Sequence, residues 1–347
     1  MPSASKTKQK KQPKSNDLST KAQKLLLSKV EKVDVAPFHA NNQDGAEAAC
    51  AFFKANGFVL IWLYSMEADR MDFKRRMITE TWNKVMDNQA MTPFLRGQIT
   101  KITDDKSYND FCGELPGYLK QEHAATFGEM LFPHCGFGGP SMNAMWNMDC
   151  QWEARQNPGY ARFAKLVFES DEVFCALDRP TVKFPGMGVV EWIHKDHRMD
   201  QAEPTNTEIQ GKFCANEGVF VLVTGLQNEH KEMYTHYAPH YKNSNSAKWA
   251  LLPDKLDHLN LFKRVEKIRV PAGATIFWSP SLVHGACMND SKVILFGLYL
   301  GFVKFGLYLG FVCFPRGKHK SERPKRHNRN GRSLRRLVAW SGSGASS

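Results

Sequence analysis

The chain has 347 residues, of which 42% are hydrophobic and 24% charged, with a formal net charge of +12. That length allows about two domains, and a single β-rich domain with flanking helices absorbs most of it around one large core. The charge excess lies at the ends, eight Lys against one Asp over residues 1–30 and ten Lys or Arg against one Glu over 315–347, so the middle is mildly acidic and the basic balance excludes nothing about a site there.

The eight cysteines form no Cys-x-x-Cys, and no secretory signal stands at the start. Reduced thiols in an intracellular protein, cytoplasmic or nuclear, are therefore expected. Residues 1–30 carry almost no large apolar side chain in their first two dozen positions and read as a basic disordered tail. The Lys6-Thr7-Lys8-Gln9-Lys10-Lys11 cluster reads as a nuclear address, a phosphate-binding arm or a solubilising tail.

Residues 31–314 read as one folded domain. The spacing of alanines and Phe52-Phe53 predicts a helix over Asp44–Ala55, Gly57–Leu63 a strand, and Met66–Met86 a long amphipathic helix. Thr92–Met145 is loop-rich, and its Gly136-Phe137-Gly138-Gly139-Pro140 cluster suits a lid better than a phosphate cradle, because no strand-to-helix context surrounds it. His123 and His134 in that stretch read as ordinary histidines. Asn157-Pro158-Gly159 opens a helix to Phe168, with Asn as cap and Pro in the first turn, and a second short helix is expected over Asp171–Leu177.

The stretch Thr181–Met199 carries the first chemistry. His194-Lys195-Asp196 puts an imidazole and a carboxylate two residues apart, which in an extended strand places both on one face. Thr205–Gln210 reads as polar loop and Gly218–Gly225 as an inner strand. His236 and His240 are spaced for a second metal only within a helix, which Pro239 is expected to interrupt. Further on, Pro271-Ala272-Gly273 predicts a turn and Ala274–Trp278 a short strand, with His284 following in an apolar setting. Two His and one carboxylate make the facial set of non-haem Fe(II) oxygenases, so His194, Asp196 and His284 are the candidate metal ligands.

The octapeptide FGLYLGFV occurs twice, at Phe296–Val303 and Phe305–Val312, separated by Lys304. Val293–Phe314 is long and apolar enough for a membrane helix, but the central Lys opposes that and a strand is expected. A nine-residue offset in a structure of period two would turn the two copies to opposite faces, so one copy alone is expected in the core strand. Residues 315–347 read as a second basic disordered tail.

Val182-Lys183-Phe184-Pro185-Gly186, Asn216–Val223, Glu229-His230-Lys231 and the His284 segment resemble, in order and spacing, the phytanoyl-CoA dioxygenase-like family. The resemblance implies a mainly β fold with flanking helices around a double-stranded β-helix (jelly-roll, cupin-like) core. It implies an Fe(II)- and 2-oxoglutarate-dependent dioxygenase that hydroxylates a C–H bond of a small organic or acyl substrate using O2, with succinate and CO2 as co-products. It also calls for a cation to hold the far carboxylate of 2-oxoglutarate. Lys183 matches a family lysine position, and Lys292 stands nearest to where an Arg is usual, although a Lys cannot form the two-pronged fork. Trp192 and Trp278 flank the metal-bearing segments as pocket walls or core, and His197 and Arg198 stand near enough to face substrate. Three alternatives stay open: a nucleic-acid or protein hydroxylase docked by the basic tails, a non-catalytic metal-binding member, and a membrane-anchored protein.

Overall fold

A computed structural model describes residues 30–87, 101–113, 148–176, 180–185, 194–196, 208–241, 250–251, 264–287 and 289–304. Both basic tails apart from residue 30, the glycine-rich segment with His123 and His134, Trp192, His197, Arg198 and the second FGLYLGFV copy lie outside these residues.

A short strand β1 (Lys32–Asp34) leads to helix α1 (Gln43–Asn56). Asn42 caps α1 by accepting from the Gly45 amide, and Gly57, at φ 76°, ends it in the left-handed region that glycine adopts without a Cβ clash. Strand β2 (Phe58–Trp62) and helix α2 (Glu67–Asp87) follow as the pattern predicts. Helix α3 (Asp105–Gly113) and α4 (Asp149–Arg155) precede α5 (Pro158–Phe168), whose Asn157 cap accepts from Gly159 and Tyr160.

The helix expected over Asp171–Leu177 is instead strand β3 (Val173–Ala176). Glu169, at φ 50°, terminates α5, and Val173 and Phe174 then pair with the far end of the last strand. Tertiary pairing of a β-branched, aromatic segment overrides its weak helical spacing.

The remaining strands are β4 (Pro180–Lys183), β5 (His194–Lys195), β6 (Ile209–Cys214), β7 (Gly218–Val223), β8 (Ala250–Leu251), β9 (Val265–Val270), β10 (Ala274–Trp278), β11 (Val283–Ala286) and β12 (Leu295–Lys304). They form two six-stranded sheets. One runs β1-β9-β7-β11-β5-β8, and the other runs β2-β10-β6-β12-β3 with β4 also paired to β12. Along the chain β4 to β7 alternate between the sheets, as do β9 to β12, and the two quartets meet where β7 pairs antiparallel with β9. That winding is a double-stranded β-helix. The polar-loop reading of Thr205–Gln210 gives way at Ile209, where β6 begins.

Alternation along the strands separates two cores. Phe213, Phe277, Phe296, Leu298, Leu300 and Phe302 pack outward against Ala49 and Phe53 of α1, Phe73 and Met77 of α2 and Phe163 of α5. Phe58, Leu60, Phe220, Leu222, Ile276 and Trp278 fill the space between the sheets. The first FGLYLGFV copy supplies β12, with Phe296, Leu298, Leu300 and Phe302 on its helix side and Gly297, Tyr299 and Gly301 on the other. Among the described residues no helix is long and apolar enough to cross a membrane.

Helix α6 (His230–Tyr241) runs through Pro239, contrary to the expected break. Pro removes one backbone donor at a cost of about 3 kcal/mol. Met233 is fully buried at the other end of α6, and the preceding Glu229 is held in a two-pronged pair by Arg264 at 2.8 and 3.0 Å, so both favour the helix. The side chains of His236 and His240 lie outside the described residues.

Candidate metal centre

β11 lies between β7 and β5, and its antiparallel register sets His284 directly opposite His194. Facing residues of such a pair project to the same side, and Asp196, two residues beyond His194, shares that side. The Asp196 amide donates to the Pro280 carbonyl at 3.2 Å, which ties the carboxylate's backbone to the turn before β11. The sequence therefore converges on one point by strand pairing rather than by local helix geometry.

The ligand atoms of His194, Asp196 and His284 all lie within 4.8 Å of one another. His194 Nε2 is 3.5 Å from one Asp196 carboxylate oxygen, and His284 Nε2 is 3.4 Å from the other. An ion with bonds of about 2.1 Å holds adjacent ligand atoms about 3 Å apart, so the three close on one ion with small shifts. His284 Nδ1 donates to the Leu282 carbonyl at 2.9 Å, a tautomer that leaves Nε2 with its lone pair toward the carboxylate. Burial, reinforced by the neighbouring His194, pushes the His284 imidazole down to about 4, so it is a neutral donor at pH 7. Side-chain exposures of 12% for His194, 19% for Asp196 and 5% for His284 show that the group opens on the Asp196 side. The donor set fits a six-coordinate first-row metal with room for further ligands.

Around this group the interior of the barrel is aromatic. Phe220 stacks on His284 with ring centres 5.6 Å apart, and Trp278 lies 5.3 Å from the same ring. Trp278 is core and wall at once, 3% exposed, with its Nε1 lacking an acceptor among the described residues.

Lys195, between the two ligands, projects to the opposite side of β5. It is fully buried, with its amino group 3.0 Å from His230 Nδ1 and 3.7 Å from Met233 Sδ on α6. Burial holds its amino group down to about 7. Thus the His230 of the sequence motif works as an anchor behind the metal strand.

The two lysines expected at the co-substrate end fare differently. Lys183 ends β4 with its amino group enclosed, donating to the Cys287 carbonyl at 3.0 Å. Burial, and secondarily Lys212, holds it down to about 7. Lys292 is exposed in the bend before β12, outside the strand itself. Asn289 turns the chain there, donating to the Lys183 and Val293 carbonyls, and the bend leaves Lys292 at the surface. A lysine absent from the sequence-based set, Lys212 of β6, stands on the inward side beside Cys214. The alternation of Ile209, Gly211 and Phe213 with Gln210, Lys212 and Cys214 is the signal that places it there.

The described cysteines, Cys50, Cys112, Cys150, Cys175, Cys214 and Cys287, are free thiols, as expected.

No family model matches the chain. Ava biosynthesis cluster protein O of Aspergillus versicolor is 24% identical over 173 residues, 43% of this chain and 52% of that protein. The chain thus spans about half the length of the curated relative it matches. Among solved structures, the non-heme monooxygenase ThoJ in its apo form is similar with a TM-score of 0.42 and 8% identity, over 74% of this chain and 77% of that one. The epimerase SnoN in complex with Fe3+, alpha-ketoglutarate and nogalamycin RO gives 0.40 and 11%, over 84% and 97%. EctD from S. alaskensis with bound Fe gives 0.40 and 14%, over 79% and 80%.

Proposed function

We propose that the chain is an Fe(II)- and 2-oxoglutarate-dependent dioxygenase that hydroxylates a C–H bond of a small organic or acyl substrate. The observation that carries this reading is the convergence of His194, Asp196 and His284 on one face of a strand pair that opens into a double-stranded β-helix. The resemblance of residues 182–186, 216–223, 229–231 and the His284 segment to phytanoyl-CoA dioxygenase-like proteins supports it. The partly matching protein from a biosynthesis cluster favours a small-molecule substrate.

In this reading, bound iron with a 2-oxo acid and oxygen supplies the oxidising power, yielding succinate and CO2 as co-products. The chain's own part is geometry. His284, neutral and oriented by the Leu282 carbonyl, presents Nε2, while Asp196 offers one oxygen toward each imidazole. Phe220 and Trp278 keep the inner side of the site dry, which strengthens every polar contact made there. Lys183 stands ready as a cation for the co-substrate once an anion compensates its burial.

The test is succinate formation from 2-oxoglutarate by protein reconstituted anaerobically with Fe(II) and then exposed to air. Slow turnover in the wild type, reduced at least a hundredfold in His194→Ala and Asp196→Ala, is expected. Folded wild-type protein that binds Fe(II) and forms no succinate would instead make it a non-catalytic metal-binding protein.

A further inference from the structure

Between the two sheets, opposite the metal centre, the inward face of the β4–β12–β6 ladder carries an unusual run of polar side chains. Register pairs Gly297 with Thr181 on one side and with Cys214 on the other, while Tyr299 pairs with Lys212 and Gly301 with Gln210. Since Val182, Phe213, Phe296 and Leu298 pack against the helices, their alternating neighbours Thr181, Lys183, Lys212, Gly297 and Tyr299 face inward.

Gly297 shapes this patch. A Cβ there would lie 2.7 Å from Lys212 Cε and 2.8 Å from Thr181 Oγ1, so only glycine lets the Lys212 stem cross β12 toward β4. The Lys212 ammonium sits 5.7 Å from the centre of the Tyr299 ring and has no carboxylate partner among the described residues. Tyr299 in turn contacts Trp278, whose ring lies against His284, so one aromatic row joins Lys212 to the metal ligand. The buried Trp278 Nε1 and Gln210 Oε1, on paired residues of β10 and β6, both lack partners among the described residues. Unpaired buried polar atoms and two like charges that act on one another cost stability when nothing compensates them.

We infer that Lys212, cradled by Gly297 and acting with Lys183, binds the far carboxylate of a 2-oxo dicarboxylic acid whose other end reaches the metal. This rests on the reading of the site as 2-oxoglutarate-dependent and changes which residue supplies the cation: a lysine on β6 in place of Lys292. Two single-point cations on the strands that flank β12 stand where a single forked guanidinium would otherwise be needed. The Lys212 charge is one of the causes that hold Lys183 down, and an anion between the two amino groups reverses that effect.

Binding to the Mn(II)-loaded protein, measured by calorimetry without oxygen, compares 2-oxoglutarate with 2-oxopentanoate, which has the same chain length and a methyl in place of the far carboxylate. Wild type should prefer 2-oxoglutarate by about ten- to a hundredfold, the range of a charge-assisted contact. Lys212→Gln should lose most of that preference while its affinity for 2-oxopentanoate stays within about twofold, and Lys212→Arg should retain it. Gly297→Ala, which keeps both lysines but displaces the stem, should lose the preference as Lys212→Gln does. A full preference surviving in Lys212→Gln would overturn the assignment of Lys212 alone. Failure of the folded, Mn(II)-loaded wild type to bind either acid would overturn the 2-oxoglutarate reading together with it.

Discussion

Lys183 shows at the scale of one residue how a buried amino group works against the fold that holds it. Its amino group is enclosed, its one acceptor among the described residues is the Cys287 carbonyl, and burial holds it down to about 7 against an ordinary 10.5. The unfolded chain therefore binds a proton over that interval that the folded chain releases, so the stability contributed by this group rises as pH rises from about 7 to about 10.5. Lys183→Met should raise the ligand-free melting temperature at pH 7 by a few degrees, and the advantage should shrink toward pH 10. A lower melting temperature at both pH values would show that the Cys287 contact outweighs the burial cost. Lys195 differs, because its buried amino group has His230 and Met233 as partners. His230→Ala should destabilise by about 1–3 kcal/mol, as removal of a buried partner does, and Lys195→Met in that background should recover most of the loss in denaturant unfolding.

At the scale of the element, β12 is the most constrained strand, flanked by β6 on one side and by β3 and β4 on the other. Its sequence recurs nine residues later, identical over eight positions and with Cys313 standing where Lys304 stands in the first copy. Deleting Phe296–Lys304 feeds the second copy into the same register with the same inward glycines. The variant should fold with a melting temperature within about 4 °C of wild type, a change of about 1 kcal/mol. Loss of cooperative unfolding would show that the first copy is irreplaceable. Ala274–Trp278 and Gly218–Val223 are legible as strands because both are rich in β-branched and aromatic residues beside turn-forming glycines. The strand at Val173–Ala176 is not, because its partner is β12, far away in sequence. The inward direction of Lys212 is weakly marked in the sequence, because β6 mixes glycine and polar residues and its faces are fixed by its placement between β10 and β12. The exposed position of Lys292 is not legible from its nearness to His284 in sequence, because the Asn289 bend intervenes.

At the scale of the whole molecule, the metal centre depends on strands that are distant in sequence and belong to the same sheet, with α6 clamped behind one of them. A ligand that binds only this assembled state stabilises it by mass action, about 2.7 kcal/mol at a hundred times its dissociation constant. Chelator should therefore lower the melting temperature of wild type and leave that of Asp196→Ala unchanged. The most direct test of the central claim is an anaerobic Fe(II) titration of the folded chain beside His284→Ala and Asp196→Ala. One equivalent bound by wild type and at least a hundredfold weaker binding by either variant are expected. Absence of Fe(II) binding by folded wild type, or undiminished binding by Asp196→Ala, would contradict it.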